Sequence, residues 1–491
     1  IIIILGNSSA ATLPAPILAK NTREIEIQLL DGVKAEPATI AESSAPNFNN
    51  LLSLLGISEQ QFILNAQATF KLANQFHGWL RGSHCFNHSF GWYGNRILGA
   101  DFNQVTTKLR QHTDVPGFDS FSVSAMAAGL GKFAFSNDYH AENLPSIDYG
   151  IHFNLHSFLH FLSGYVQQLG VKRTKNLLSH VEMADDGSID SLITVQGEKL
   201  SADFYIDCTG RDSLLLGKAM GVSYNDWSSL IKVDRCLISA SNYPEKKVNY
   251  SVTSIQPTPA GVLRQIPLRS GRGVELFYSS ATLSDERAHE EFKLHGDMNV
   301  DDSSLVLRLS PGRRNQQWEK NCLAIGDAFS NLGFDFYSSF SQVIDGIIRF
   351  WDYFPSNSTV QPMVDEYNRI SLNELDKIRD YHLLHFFLLR KDHPLALQQT
   401  DVLPESFSYK LKLFKASGRL PWRDDEVINM NQWISLLLGM EYWPDRYDPS
   451  LDSVPVDVLT KSVAKLGSAI NELVSLMPSQ KAYLSRLINK S

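Results

Sequence analysis

The 491-residue sequence predicts a mixed α/β fold with a βαβ unit at the amino end, a mostly antiparallel sheet in the middle and helices at the carboxyl end. Three observations support this architecture. Residues 1–5 form a continuous apolar run, which is typical of a strand buried on both faces. Residues 248–255 and 274–280 alternate apolar and polar side chains, which predicts antiparallel strands. After Pro355 the apolar residues follow helical spacing.

The amino-terminal segment has the order of a dinucleotide-binding βαβ unit. The strand at 1–5 ends in a turn of small residues, a helix is predicted through 17–20, and a strand over 25–30 closes at Asp31. The pattern G-x-G-x-x-G is present as Gly6-x-Ser8-x-x-Ala11. Ala11 suits the third position, which needs close packing of helix on strand, whereas Ser8 adds a side chain where backbone should approach a pyrophosphate. Asp31, 25 positions after Gly6, suits a ribose hydroxyl.

Two later apolar strands end in small-residue motifs that contain an aspartate. The strand at 203–208 ends in Asp207-Cys208-Thr209-Gly210, and the strand at 323–325 runs into Gly326-Asp327-Ala328, with a helix expected directly afterwards. Ligands of an open α/β sheet bind at the carboxyl ends of its strands. This pair of motifs is typical of one flavoprotein superfamily, so the sequence predicts a Rossmann-like domain that binds FAD. The residues expected at the cofactor in these motifs are Asp207, Gly210, Gly326, Asp327 and Ala328.

Composition argues against several other classes of function. The formal net charge is -8 and no block of five or six basic residues occurs, which argues against nucleic acid and anionic membranes as partners. No run of 18 apolar residues is long enough to span a membrane. The four cysteines lack CxxC spacing, which favours a reduced, cytoplasmic chain without a metal site. His152, His156 and His160 recur every four residues, but no carboxylate joins them, so we predict no metal there.

Many short segments, in the same order along nearly the whole chain, resemble the flavin-dependent tryptophan halogenases. Residues 41–47 (AESSAPN) are similar to the family's GEATxPN segment, and residues 68–72 (ATFKL) to the segment that carries its catalytic lysine. Further similar segments lie at 152–154, 170–173, 207–210, 234–235, 312–314, 366–368 and 378–381. The resemblance implies an FAD-binding domain of the aromatic-hydroxylase/halogenase type over 1–355, a helical region over 356–491, and Glu42 near the cofactor.

The resemblance also implies a chemistry and a set of partners. In that family, reduced FAD and oxygen convert a halide to hypohalous acid, a lysine captures it and presents it to an electron-rich arene, and a glutamate assists. The lysine corresponds to Lys71. The expected partners are a small aromatic or indole-like substrate and a separate flavin reductase that supplies reduced FAD, and a homodimer is left open. Taken without the resemblance, Lys71 reads as a lysine whose amine reaches solvent from a strand edge.

The sequence departs from the family where the carboxylate and the halide should be. The segment G-x-A-x-G-F-x-E-P-L-E-S-T-S aligns with residues 326–339 and places Phe336 at the catalytic glutamate. Tyr337 and Ser338, followed by Ser339, occupy the halide side. Asp335 is one position off and is a weak substitute, because adjacent side chains point in different directions.

The WxWxIP signature is broken as well, with Val262 and Arg264 at both tryptophan positions. Arg264 suits either an anionic group of the substrate or an ordinary surface ion pair. These departures leave three functions open: oxidative halogenation of an aromatic substrate, a flavin-dependent monooxygenation without halogenation, or a non-catalytic relative that acts as a binding protein. Ser8 in the glycine turn motivates the third.

Overall fold

The computed structural model describes residues 1–21, 25–33, 39–136, 144, 147–241, 248–295, 304–336, 339–354, 360–398, 400–421 and 425–489. The strands are β1 Ile2–Leu5, β2 Ile27–Gly32, β3 Ala41–Ser43, β4 Thr69–Lys71, β5 Ala73–His77, β6 Cys85–Ser89, β7 Gly150–Asn154, β8 Lys172–Met183, β9 Ile189–Thr194, β10 Lys199–Leu200, β11 Phe204–Asp207, β12 Tyr224–Asp226, β13 Arg235–Ser241, β14 Val252–Pro257, β15 Gly261–Leu268, β16 Gly271–Tyr278, β17 Leu305–Arg308, β18 Gly312–Arg314, β19 Trp318–Glu319, β20 Cys322–Ala324 and β21 Ser330–Asn331. The helices are α1 Ser9–Thr12, α2 Pro14–Asn21, α3 Phe48–Leu55, α4 Glu59–Asn65, α5 Phe102–Arg110, α6 Val123–Gly129, α7 Leu155–Gln168, α8 Asp285–His295, α9 Ser339–Asp352, α10 Gln361–Leu388, α11 Glu405–Ser417, α12 Met430–Gly439, α13 Val456–Leu476 and α14 Gln480–Asn489.

A parallel sheet forms the centre of the amino-terminal part. Strands β8, β2, β1, β11 and β20 pair in that order and run parallel, with β9, β10 and β19 antiparallel at the edges. Strand β1 is buried on both faces, because Ile3 and Leu5 belong to one hydrophobic core while Ile2 and Ile4 belong to another. This confirms the prediction made from the apolar run and from the βαβ order.

A second sheet lies beside the first and is mostly antiparallel, as predicted. Its order is β17-β13-β16-β15-β14-β5-β6, and only β14 and β5 pair in parallel. A smaller sheet of β3, β7 and β4 adjoins it. Lys71 ends β4, and β5 begins two residues later in the seven-stranded sheet. The lysine therefore lies at the junction of two sheets.

The carboxyl-terminal helices pack against both cores. Trp433 of α12 belongs to the first core, and Val474 of α13 to the second. Gln480, the first residue of α14, hydrogen-bonds with both backbone groups of Phe70, which is 410 residues away along the chain. The predicted division at residues 355 and 356 remains a prediction, and Pro355 itself lies outside the described residues.

One local prediction is wrong. The segment after β20 is a short 3-10 turn, Gly326–Ala328, followed by β21, and the expected helix begins only at Ser339. His152 lies in β7, whereas His156 and His160 lie in α7, so the three imidazoles do not share a helical face. In the described part of the chain, none of the helices is both long enough and apolar enough to cross a bilayer.

Candidate active site

A cavity of about 1150 Å³ opens at the carboxyl ends of the parallel strands. This is where an open α/β sheet binds its ligands. Of the residues predicted from the sequence, its lining includes Ser8, Glu42, Gly210, Gly326, Asp327, Arg264 and Asp335. Gly6, Ala11, Asp31, Asp207 and Ala328 are not part of this lining. The cavity therefore brings together seven of the predicted residues.

Gly6 and Gly326 are required by the close approach of neighbouring chain segments. A Cβ on Gly6 would lie 2.3 Å from the carbonyl oxygen of Cys208, and Gly6 has a φ of +150°. A Cβ on Gly326, where φ is +66°, would lie 2.7 Å from the Cβ of Ala10. These contacts hold the first turn and the Gly326–Ala328 turn against each other at the cavity. Ser8 is exposed on the cavity wall, so its hydroxyl adds a polar group to the turn without displacing backbone.

Asp31 is held in an ion pair outside the cavity. It lies within β2 and its Oδ1 accepts a hydrogen bond of 2.8 Å from Nε of Arg173. Gly32 and Val33, the next two residues, line the cavity in its place. The role of Asp31 at a ribose hydroxyl remains a prediction.

The carboxylate of Asp207 organises its own loop. It is fully buried and accepts hydrogen bonds from the backbone amides of Thr209, Leu215 and Leu216 and from the hydroxyls of Thr209 and Ser213. With five donors around its two oxygens, it has little capacity left for a ligand. Its effect on the cavity is to fix the position of Gly210, which does line it.

At the far end of the cavity a charged cluster takes the place of the family's tryptophans. Arg264 donates to Oε2 of Glu275 at 2.5 Å and to the carbonyl oxygen of Asp335 at 2.9 Å. Its guanidinium lies over the rings of Phe277 and Phe334, at 5.0 and 5.2 Å from their centroids. Arg264 is therefore a buried, oriented cation in the cavity wall and does not form a surface ion pair.

Glu42 lines the same end of the cavity. Its carboxylate accepts a hydrogen bond of 2.8 Å from the hydroxyl of Thr39. Burial, reinforced by the negative charge of Glu275, raises the pKa of Glu42 to about 7. Glu42 can therefore exchange a proton near neutral pH, which an exposed glutamate cannot do.

Lys71 is a buried amine outside the lining of this cavity. Its residue is 2% exposed, and Nζ lies 5.1 Å from the centroid of the Phe90 ring. The pKa of Lys71 is lowered to about 7, mainly by burial and secondly by the charge of Arg264, while the charge of Asp335 acts in the opposite direction. An amine with this pKa is substantially uncharged at neutral pH and can act as a nucleophile.

Asp335 and Phe336 have different surroundings, as expected for adjacent residues. The Asp335 side chain is 18% exposed and lines the cavity, and its Oδ1 lies 3.3 Å from Nε2 of His382. Nδ1 of His382 lies 2.8 Å from the carbonyl oxygen of Ile378 and must donate to it. The backbone N–H of Phe336 donates to Nε2 of the same ring at 3.0 Å. The histidine thus fixes this segment from α10.

The ring of Phe336 is part of a buried aromatic layer. It stacks on the ring of His385, with centroids 3.8 Å apart and planes 8° from parallel. Its centroid also lies 6.0 Å from that of the Trp79 ring, in an edge-to-face arrangement, and 4.2 Å from that of the Phe334 ring. The position that aligns with the family's glutamate is therefore filled by an apolar ring with tight neighbours. Tyr337 and Ser338 lie outside the described residues, and of Ser339 only its place at the start of α9 is described.

Three of these residues were not singled out from the sequence. Glu275 stands directly opposite Arg264 in the antiparallel pairing of β15 and β16. The sequence signal for this pair was one acidic and one basic residue in two adjacent strands. His382 and His385 are buried residues of α10, and they hold Asp335 and Phe336 at the expected carboxylate position. Their spacing of three on a helix was the only hint.

His152 is a structural residue of the β4–β7 pair. Its ring hydrogen-bonds with the hydroxyls of Thr69 and Thr253 at 3.2 and 2.8 Å. Within the described ranges, no cluster of three or more His, Cys, Asp or Glu side chains has the arrangement of a metal site.

Comparison with known proteins gives one consistent family. The family model described as tryptophan halogenase matches residues 1–456. Tryptophan 7-halogenase KtzQ from Kutzneria sp. (strain 744) is 26% identical, over 99% of this chain and 98% of the relative. Two solved structures are similar with TM-scores of 0.91: BrvH, a flavin-dependent halogenase from Brevundimonas sp. BAL3, at 27% identity, and Xcc4156, a flavin-dependent halogenase from Xanthomonas campestris, at 26% identity. Each comparison covers 99% of this chain and 98% of the other.

Proposed function

Since the chain belongs to the tryptophan halogenase family, we propose that it binds FAD and halogenates a small aromatic, indole-like substrate. The reaction uses a halide, oxygen and reduced FAD, and a separate reductase supplies the reduced cofactor. Two solved relatives at 26–27% identity are flavin-dependent halogenases over their full length, which supports the proposal.

The residues present fit a flavin dinucleotide. The cavity of about 1150 Å³ lies slightly above the usual range for cofactor and ligand sites, roughly 300–1,000 Å³, and so has room for a large ligand. Ser8, Gly210 and Gly326 form its wall at the strand ends, where a pyrophosphate is expected, and Asp327 offers an exposed carboxylate for a hydroxyl group. Glu42 and Arg264 line the opposite end.

The observation that carries the proposal is the buried amine of Lys71. When bound, reduced FAD supplies, with oxygen, the oxidising power that converts halide into an electrophile. Lys71 holds that electrophile and delivers it to the arene, because its pKa of about 7 leaves a reactive neutral amine at physiological pH. Asp335 contributes a negative charge within range of Lys71 and stabilises the protonated form of that amine.

A second function, monooxygenation without halogenation, is favoured by one specific observation. Phe336 packs in the aromatic layer where the family's carboxylate is expected. Val262, fully buried, stands where the family has a tryptophan. A substrate that reaches the flavin directly would then acquire oxygen in place of halogen.

Mass spectrometry of the products separates these functions. The purified protein is supplied with reduced FAD, oxygen and either chloride or bromide, together with a panel of indoles and phenols. We expect halogenated arenes from the wild type and none from Lys71→Ala, while the FAD titration of the variant is unchanged. Hydroxylated products alone would favour monooxygenation. The absence of any product from a protein that binds FAD would contradict both enzymatic functions, and the absence of FAD binding would leave the binding-protein alternative.

A further inference from the structure

One ring nitrogen of His385 forms a hydrogen bond, and the other forms none with the described residues. Nδ1 lies 2.9 Å from the carbonyl oxygen of Tyr381, one helical turn earlier in α10. A carbonyl only accepts, so Nδ1 carries the proton. Among the residues that the structure describes, Nε2 has no hydrogen-bond partner, although His385 is 1% exposed. Unsatisfied buried polar atoms are rare, because each loses its hydrogen bonds to water without replacement.

The ring is neutral, so Nε2 is an acceptor. Burial, together with the nearby charges of His88 and His382, holds the pKa of His385 well below its ordinary value. With the proton fixed on Nδ1, the lone pair of Nε2 is available to a donor at neutral pH. Its surroundings are aromatic: Phe336 is stacked on it, Tyr381 lies perpendicular at 5.0 Å, and Phe76 lies at 5.7 Å. Such a site suits an arene that carries a single hydrogen-bond donor.

The pairing of β5 with β6 lies between Lys71 and the aromatic layer of His385. The amine of Lys71 lies over the Phe90 ring, and Phe90 directly follows β6. In the β5–β6 pair, His88 stands opposite Asn74, whose side-chain amide donates to the carbonyl oxygen of Phe336 at 3.4 Å. The ring of that phenylalanine is the one stacked on His385. Side-chain contacts and the pairing of β5 with β6 therefore connect the amine to the unsatisfied acceptor.

We propose that Nε2 of His385 accepts a hydrogen bond from the ring N–H or O–H of the aromatic substrate and so selects indoles and phenols over arenes that lack a donor. This rests on the proposed function, which requires an arene near Lys71. His385 is then the residue that determines specificity for the donor group. Phe336, at the position of the family's carboxylate, stacks on His385 and orients its ring toward the substrate.

Binding measurements on the full-length protein test this without turnover. Indole, 1-methylindole and 3-methylindole are titrated by calorimetry. The two methylindoles are equal in size, and only 1-methylindole has lost the N–H. We expect 1-methylindole to bind about tenfold more weakly than 3-methylindole, since it leaves the buried acceptor unpaired. Equal affinities of the two methylindoles, or no binding of any arene, would overturn the proposal.

Two variants assign the effect to this nitrogen. His385→Phe keeps a ring that can stack on Phe336 and should bind both methylindoles alike. His84→Phe is the matched control, because His84 is also buried, with Nε2 on the carbonyl oxygen of Gly439 and Nδ1 without a partner; it should keep the tenfold preference. If His385→Phe does not fold, the ¹⁵N resonance of Nε2 in the wild type is followed instead, and it must shift with 3-methylindole and stay unchanged with 1-methylindole.

The outcomes also separate this proposal from the proposed function. A preference for the N–H in binding without halogenated product would uphold the role of His385 and contradict the activity. Halogenation of both methylindoles with equal kcat/KM would uphold the activity and contradict the role of His385.

Discussion

Replacing Lys71 with methionine should stabilise the folded protein, and the gain should be greatest at and below neutral pH and should fall as the pH rises. Methionine has a similar length and no charge, so the buried site no longer has to desolvate an ammonium group. The folded pKa of Lys71 is about 7, against 10.5 for an unperturbed lysine. Between these two values the unfolded chain binds a proton that the folded protein has released. The free energy of unfolding of the wild type therefore rises with pH across this window.

The magnitude follows from the size of the pKa difference. One pKa unit corresponds to 1.36 kcal/mol, so the cost of Lys71 to the folded state is on the order of 4 kcal/mol at pH 7. It falls to roughly 1.5 kcal/mol near pH 9.5, because most of the lysine in the unfolded chain is still protonated there but the folded amine is wholly neutral. The advantage of Lys71→Met over the wild type should thus shrink by about 3 kcal/mol between these two conditions.

Urea unfolding at a series of pH values measures this difference directly. Both proteins are unfolded at pH 6, 7, 8, 9 and 9.5, and the difference in the free energy of unfolding is plotted against pH. Lys461→Met, at a side chain that is 82% exposed, controls for the loss of one lysine. A difference that stays constant from pH 7 to 9.5 would refute the argument, because the amine of Lys71 would then have an ordinary pKa in the folded protein.

Three further substitutions test single features of the site. Phe336→Glu places a carboxylate in the layer against His385 and should lower the free energy of unfolding by about 3 kcal/mol at pH 8. The loss should be smaller at pH 5, because the carboxyl group is protonated there. An equal loss of stability at both pH values would contradict this prediction. Asp207→Asn turns an amide toward the N–H groups of Leu215 and Leu216 and should cost roughly 3 kcal/mol and weaken FAD binding, as measured by urea unfolding and spectral titration. Gln480→Leu leaves the backbone of Phe70 unpaired and should cost roughly 2–4 kcal/mol and accelerate hydrogen exchange at that amide; unchanged exchange would show that the contact is dispensable.

The parallel sheet and its ligand edge were predictable from local patterns. A strand buried on both faces must be apolar throughout, which is what residues 1–5 show, and the glycines are required where neighbouring segments approach closely. Asp31 and Asp207 show the limit of such reasoning. Sequence spacing indicates which residues lie near a strand end, but the partners of a carboxylate are decided by tertiary contacts with Arg173 and with the loop at 209–216.

The carboxylate position shows a second limit. Alignment could place Phe336 where a glutamate is expected, and adjacent side chains were expected to diverge. Where each side chain goes depends on α10, whose His382 and His385 lie 46 or more residues later in the chain. The helical spacing of His382 and His385 predicts that they share one face of α10. It does not predict that this face packs against the segment at 335–336.

The contact between Gln480 and Phe70 bears on how the protein is made. Phe70, which precedes Lys71 in β4, is translated 410 residues before Gln480. The side chain of Gln480 hydrogen-bonds with both backbone groups of Phe70. A polypeptide interrupted after α13 would still contain all the residues that line the large cavity, yet it would lack this late partner of β4. Synthesis of the last helix is therefore the step that completes the surroundings of the amine, long after the sequence of the flavin end has been translated.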